Sequence, residues 1–250
     1  MTDLAITHIG GPTTLIELDG VRLLVDPTFD APGRRYRFGW GTSSRKTGGP
    51  ALTQADLGRL DGVLLSHDQH ADNLDDAGRA LLPSVPVVLT TVSGARRLGG
   101  NAVGLAAFQS HTVGDIEVTA TPARHGPPLS RPIVGETTGF ALRTPGSTSV
   151  LWISGDTVLF DGLLSLADHF TVDTAILHLG KVRFRLTGPL KYTMSSQDAA
   201  KLTARLKPRR IVPVHYEGWS HFHEDPPSIK AAFPPNALTW LTPGTRTPID

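Results

Sequence analysis

Short apolar runs recur along the chain and alternate with polar stretches that contain Gly, Pro, Asp and His. The first three runs, at residues 4–9, 14–18 and 21–25, predict an opening β-meander, with Asp19-Gly20 as the turn between the last two. Further apolar runs predict strands at 62–65, 87–89, 116–119, 139–143, 150–154, 174–178 and 210–214. Helical patterns lie between them at 53–60, 74–82, 94–98, 160–167 and 196–206. This alternation predicts an α/β fold, and because no low-complexity linker divides the chain we expect a single domain over residues 1–250.

Residues 27–52 follow neither the helical nor the strand period. A connection of this length is uncommon unless it has a function, so we expect a loop that acts as a lid. Within it, Arg34-Arg-Tyr-Arg-Phe-Gly-Trp combines three guanidinium groups with three aromatic rings, which suits an anionic or phosphorylated ligand. Arg34, Arg37 and Trp40 are therefore candidate substrate-binding residues. The alternative is an ordinary solvated loop with its aromatic side chains in the core.

The composition narrows the classes of function. The chain has 250 residues, of which 39% are hydrophobic, so it can bury a sizeable core. Its formal net charge is only +1, so we expect a small-molecule substrate rather than nucleic acid. The N-terminus lacks a signal-peptide pattern and no apolar run approaches the length of a bilayer span, which predicts a cytoplasmic protein with no membrane contact. Because the chain contains no Cys, only His and carboxylate side chains remain as strong metal ligands.

The densest polar cluster directly follows the apolar run that ends at Leu65. It reads Ser66-His67-Asp68-Gln69-His70-Ala71-Asp72-Asn73-Leu74-Asp75 and holds two His and three carboxylates. Crowding like charges in this way costs Coulomb energy unless a cation offsets it, and imidazole with carboxylate is a ligand set typical of zinc. The alternative is a solvated loop in which Asp72 or Asn73 caps the following helix.

Other isolated polar residues follow their own predicted strands. His125, Asp156 and His215 each come after an apolar run, and residues at the carboxyl ends of strands in α/β folds meet at one rim. His178 also ends a strand, and either it contacts the substrate or it is a core residue satisfied by the backbone. His221 and His223 follow His215 closely, and either line the pocket or belong to a surface loop.

These segments, in this order, resemble the metallo-β-lactamase superfamily and, within it, the UlaG-like branch of small metal-dependent hydrolases. The segment Gly10-Gly-Pro-Thr-Thr-Leu-Ile-Glu-Leu-Asp-Gly and the run Leu23-Leu-Val-Asp-Pro are similar to the first hairpin of that branch. The resemblance covers nearly the whole chain. It implies a four-layer αββα sandwich with a metal site at one edge, between two sheets.

The central motif departs from the usual H-x-H-x-D-H of that superfamily. Gln69 falls where the second His is expected, and Asn73 replaces the last His, whereas one inserted residue would bring His70 and Asp72 into place. The ligands implied by that alignment are three imidazoles for a first ion, a carboxylate and an imidazole for a second, and one bridging carboxylate: His67, His70 and His125; Asp72 and His215; Asp156. Without the insertion, Asp68 is the competing first ligand. Because an amide at position 73 is a poorer ligand than imidazole, we expect one or two ions, with zinc as the first choice and manganese or magnesium as alternatives.

The resemblance and the ligand set together predict a metal-dependent hydrolase. A metal-bound water that loses its proton near neutral pH would attack an ester, lactone or phosphodiester bond in a small anionic substrate. Asp72 would orient that water, and His178 is a second candidate catalytic residue. Two other interpretations remain open: a non-catalytic ligand-binding protein with a degenerate metal site, and a phosphodiesterase that acts on RNA or phospholipid.

Overall fold

Seven strands form the first sheet of the protein, and the computed structural model describes residues 3–39 and 41–249. The strands are β1 (Leu4–Gly10), β2 (Thr13–Leu18), β3 (Val21–Val25), β6 (Gly62–Leu64), β7 (Val88–Thr91), β8 (Ala102–Leu105) and β15 (Arg246–Pro248). Their order across the sheet is β15-β1-β2-β3-β6-β7-β8. The first three form an antiparallel meander, and Asp19 and Gly20 both have the positive φ that a tight hairpin turn requires. From β3 onward the strands run parallel.

Six strands form the second sheet. They are β9 (Ser110–Val113), β10 (Ile116–Pro122), β11 (Thr138–Arg143), β12 (Ser149–Ile153), β13 (Thr171–His178) and β14 (Arg210–Val214). Their order across the sheet is β14-β13-β12-β11-β10-β9. The strands β9 to β12 are antiparallel, and β12, β13 and β14 are parallel.

The two sheets pack face to face and helices cover both outer surfaces. In β3, Leu23 and Val25 belong to the cluster between the sheets, whereas Leu24 points to the opposite face, as the period of a strand requires. The helices are α1 (Asp76–Leu81) and α2 (Val92–Leu98) on the first sheet, α4 (Asp161–Leu164), α5 (Ser196–Leu206) and α6 (Pro226–Ala231) on the second, and α3 (Arg131–Val134) near the sheet edge. These layers confirm the expected αββα sandwich.

Several predicted elements differ in detail. The helix predicted at 53–60 is a single 3-10 turn, Gln54–Leu57, which begins at the capping box of Thr53 and Asp56 and ends at Gly58, where φ is positive. The short elements β8, β9, β15, α3 and α6 were not predicted. Along the described part of the chain, no helix is both long enough and apolar enough to cross a membrane.

The expectation of an irregular loop at 27–52 is wrong in part. The segment contains an antiparallel hairpin, β4 (Arg35–Gly39) and β5 (Thr42–Arg45), which pairs with neither large sheet. Exposure alternates along β4, and Tyr36 is buried between two exposed arginines, as expected for a strand. The polar composition of the segment hid this period in the sequence.

Candidate metal centre

The candidate ligands meet at one edge of the sandwich because the strands that precede them run in the same direction. Strands β10 and β12 are both antiparallel to β11, and β14 is parallel to β12 through β13. The segment after β6 of the first sheet faces these strand ends. Two groups of buried side chains result, one of three imidazoles and one of two carboxylates and an imidazole: His67, His70 and His125; Asp72, Asp156 and His215. In each group the ligand atoms lie within 4.8 Å of one another.

The first group consists of three imidazole nitrogens that face one another. Nε2 of His67 lies 3.0 Å from Nδ1 of His70, and Nε2 of His125 lies 3.1 Å from the same Nδ1 atom. Neighbouring ligand atoms of one zinc ion lie roughly 3 Å apart, given metal–ligand bonds of about 2.0–2.2 Å. The spacing of the three nitrogens therefore suits a single cation.

The protonation state of His125 also favours a metal ligand. Its Nδ1–H donates to the carbonyl oxygen of Tyr192 at 2.8 Å, and because a carbonyl only accepts, the Nε2 atom of the neutral ring carries the lone pair. Burial, aided by the neighbouring His70, lowers the pKa of His125 to about 3, and burial likewise lowers the pKa of His67 and of His70. All three imidazoles are thus neutral at physiological pH, as ligation requires.

The second group places two carboxylates beside one imidazole. Nε2 of His215 lies 3.4 Å from Oδ2 of Asp72, and its Nδ1 lies 3.6 Å from Oδ1 of Asp156. Burial raises the pKa of Asp156 to about 7, with further contributions from the charges of Asp72 and Asp26. For His215, burial lowers the pKa, but the nearby carboxylates of Asp156 and Asp72 outweigh burial and raise the value to about 9. The group therefore favours a positive charge at its centre.

Buried polar atoms without hydrogen-bond partners indicate where a cation would bind. Among the described residues, Oδ1 of Asp72, Oδ2 of Asp156 and Nε2 of His215 are buried and have no hydrogen-bond partner. Buried polar atoms are nearly always satisfied in folded proteins, and three such atoms in one group are the donor set of a divalent cation. The residues of both groups therefore fit the metal ions that the sequence predicts.

The structure also explains the irregular motif. The carboxylate of Asp68 turns outward and accepts hydrogen bonds from Nε and Nη2 of Arg97 at 2.8 and 2.5 Å. The side-chain amide of Gln69 packs against Gly135. A Cβ atom added to Gly135 would lie only 2.2 Å from the amide nitrogen of Gln69. Both side chains point away from the ion groups, whereas His67 and His70 face one another in the first group. This is the arrangement that the alignment with one inserted residue implies.

A layer of buried polar residues supports the ligands from behind. The carboxylate of Asp26 accepts hydrogen bonds from the backbone N–H of Ser66 at 2.7 Å, from Nδ2 of Asn73 at 3.2 Å and from Nε2 of His178 at 3.1 Å. Asp26 was not predicted as a site residue. The signal was present in the sequence, because Asp26 directly follows the strand β3, much as Asp156 follows the strand β12. His178 is fully buried in this layer and is not among the residues that line the cavity, which favours the core alternative over contact with substrate.

The remaining predicted residues separate into two sets. His221 is buried and lines the cavity beside the ligands, whereas His223 is exposed, with Nε2 3.2 Å from the carbonyl oxygen of Arg183. Arg34 pairs with acidic side chains of its own surface, and Arg37 is exposed. Neither arginine is among the residues that line the cavity, and their assignment to substrate binding stays a prediction. Trp40 lies outside the described residues.

The hairpin β4–β5 lies over the ligand groups and encloses a cavity of about 110 Å³. The ring of Phe38 is 5.3 Å from that of His70 and 5.3 Å from that of His221, measured between centroids. Besides the ligands, the cavity is lined by aromatic, aliphatic and small side chains: Phe38, Gly39, Thr42, Ile133, Val134, Val182, Phe184, Thr187, Tyr192 and His221. Sequence reasoning grouped Phe38 with the basic loop but did not identify Phe184 or Tyr192.

The fold and the two ligand groups together define a metallohydrolase of the αββα type. The family model described as a beta-lactamase superfamily domain matches residues 21–216, which include every candidate metal ligand. The chain belongs to the beta-lactamase superfamily, and it is a metal-dependent hydrolase of that superfamily.

Relatives agree with this assignment, and solved structures share the fold. A metal-dependent hydrolase from Pyrobaculum neutrophilum is 29% identical over 235 residues and covers 91% of each chain, and one from Pelotomaculum thermopropionicum is 29% identical over 195 residues, or 74% of this chain and 80% of the relative. Among solved structures, a possible metal-dependent hydrolase from Veillonella parvula has a TM-score of 0.84 at 18% identity over 100% of both chains. The isothiocyanate hydrolase from Delia radicum gut bacteria has a TM-score of 0.81 at 20% identity, with 97% of this chain and 98% of that chain covered. At such identities the structures show the fold alone.

Proposed function

We propose that the chain uses a two-ion centre to hydrolyse an ester, a lactone or a similarly polarised carbon centre in a small, neutral substrate that carries an apolar group. The observation that carries this proposal is the lining of the cavity beside the ligands. Within the described residues, no Arg or Lys side chain lines it, and most of its walls are apolar. An anionic substituent that lies away from the ions would therefore face apolar walls with no Arg or Lys partner.

Two basic residues of the segment 27–52 pair with carboxylates. Arg34 pairs with Asp30 and Asp76 at the surface. Lys46, which follows β5, is buried with its Nζ atom 2.7 Å from Oδ2 of Asp75. These contacts support a structural role for both cations. They also favour a neutral substrate over the anionic one expected from sequence.

The chain's own residues would divide the chemistry as follows. His67, His70 and His125 would hold one ion, and the second group would hold the other, with zinc as the first choice for this donor set. Such ions supply a Lewis acid and a nucleophilic water near neutral pH. The burial of Asp72 is outweighed by the neighbouring imidazoles of His215 and His221, which hold its pKa well below the usual range, so Asp72 would be ionised and would accept a hydrogen bond from water. The hydrophobic walls would orient the substrate and exclude bulk water.

A metal-supplemented screen with matched probes tests this proposal. Neutral aryl esters, lactones and an aryl isothiocyanate would be compared with an aryl phosphodiester at equal concentration. We expect turnover of a neutral probe, loss of both turnover and bound metal in His125→Ala, and no comparable loss in His223→Ala, whose side chain lies outside the centre. Preference for the phosphodiester, or full activity of the metal-free chain, would refute the proposal.

A further inference from the structure

The second ligand group contains one fewer imidazole than the motif predicts. The group has two carboxylates and His215. The last His of the motif H-x-H-x-D-H would supply a further imidazole, but Asn73 stands at that position. The amide of Asn73 presents its nitrogen to this group. Nδ2 lies 3.4 Å from Oδ1 of Asp156 and 3.2 Å from Oδ2 of Asp26, and carboxylate oxygens accept only from the NH₂ end of an amide. An amide nitrogen has no free lone pair for a metal, so the side of Asn73 that faces the ligands cannot replace imidazole.

His221 comes to the same group from a distant part of the chain. Its Nε2 atom lies 2.9 Å from Oδ2 of Asp72, and Nε2 of His215 lies 3.4 Å from that same oxygen. Two imidazole nitrogens therefore converge on one carboxylate oxygen, at separations typical of neighbouring ligands of one cation. His221 is also 4% exposed, so its position is fixed by the fold.

The surroundings of His221 hold its ring in this orientation. Its Nδ1 atom lies 2.5 Å from the hydroxyl oxygen of Ser44 in β5, and its ring stacks on Phe184 with an interplanar angle of 7°. A hydrogen-bond partner on one ring nitrogen is how metal-binding histidines are usually oriented for ligation through the other. The hairpin β4–β5 thus supports the ring from the side opposite Asp72.

We infer that His221 is a ligand of the second ion and supplies the imidazole that position 73 lacks. The complete second set is then Asp72, Asp156, His215 and His221. This inference rests on the proposed two-ion centre, but it adds a ligand that the sequence motif does not contain. It also gives the hairpin a role in metal binding, because Ser44 orients the ligand.

Metal binding to the full-length chain tests the inference without any activity assay. After removal of metal by a chelator, zinc would be titrated into wild type, His221→Gln and His221→Asn by calorimetry, and the bound metal counted by elemental analysis. We expect two ions in wild type. In both His221 variants we expect the first ion to bind as in wild type and the second to bind at least about tenfold more weakly, as for loss of a ligand or its support. Circular dichroism would establish that each variant is folded.

Matched variants distinguish a ligand role for His221 from a structural one. His223→Gln removes a neighbouring but exposed imidazole and should leave both affinities unchanged. An unchanged second affinity in a folded His221 variant would overturn the inference. A second ion lost in Asn73→Ala but kept in His221→Gln would also overturn it and assign the ligand to the Asn73 oxygen, which has no partner among the described residues. A wild-type chain that binds one ion refutes the inference and the two-ion form of the proposed function, but it leaves metal-dependent hydrolysis standing. A wild-type chain that binds none refutes the proposed function as a whole.

Discussion

Replacing Lys46 by Met removes the cation from a buried ion pair. The Lys46 and Asp75 side chains are 3% and 0% exposed, and their charged atoms are 2.7 Å apart. Asp75 also accepts hydrogen bonds from the backbone N–H groups of Phe29 at 2.9 Å, Asp30 at 2.7 Å and Gly78 at 2.9 Å. The pair therefore joins the end of the hairpin, the segment after β3 and the first turn of α1.

The structure sets the size of the expected effect. Removing one partner of a buried ion pair costs about 3–5 kcal/mol, because the other charge stays buried without compensation. The three backbone N–H groups continue to stabilise the Asp75 carboxylate, and Met retains most of the apolar volume of the Lys stem, so we expect the lower end, about 3 kcal/mol. For a chain of this length that corresponds to a melting temperature about 6–12 °C lower.

Urea unfolding followed by tryptophan fluorescence, with saturating metal, measures the change in free energy of unfolding. Arg205→Met is the matched control, because Arg205 and Asp168 are 2.8 Å apart but 56% and 61% exposed, and such surface pairs contribute about 0–1 kcal/mol. Metal content should be unchanged in both variants, since neither pair belongs to a ligand group. A Lys46→Met effect no larger than that of the control would refute the reasoning.

Three further predictions follow from the site. Asp68→Asn should retain the full metal content and lose about 1–3 kcal/mol of stability, because it weakens only the bond to Arg97; elemental analysis that found an ion missing would restore Asp68 as a ligand. Removing metal with a chelator should lower the melting temperature, and re-adding zinc at about 100 times its dissociation constant should restore about 2.7 kcal/mol per independent site; an unchanged transition would contradict a native metal centre. Phe38→Ala should lower kcat/KM for a neutral apolar probe roughly tenfold, because it removes an aromatic wall of the cavity, while the zinc affinity stays constant; equal losses for charged and neutral probes would argue against apolar recognition.

Local sequence patterns predicted the alternation of strands and helices and the candidate ligands, whereas the four-layer arrangement was implied by the resemblance to the metallo-β-lactamase superfamily. Strand and helix periods are local properties of the sequence. The consecutive apolar residues Leu23, Leu24 and Val25, for example, indicate a strand that is buried on both of its faces. His125, Asp156 and His215 could be selected because each follows a buried strand, and the strand directions bring them together. The short elements β8, β9 and β15 were missed because three or four residues carry too little periodicity to be distinguished from a loop.

The partner of each polar side chain in the central motif depends on long-range packing. Asp68, Gln69 and His70 are adjacent, and nothing local shows that the first turns to Arg97, the second to Gly135 and the third to the ligands. The orientation of each of these three side chains depends on a partner that is distant in the sequence. Hydrogen bonding and burial in the folded chain select one orientation, and the local sequence does not indicate which. His221 is the clearest case, because 149 residues separate it from Asp72, and its contact with that carboxylate exists only after both sheets and the hairpin have assembled.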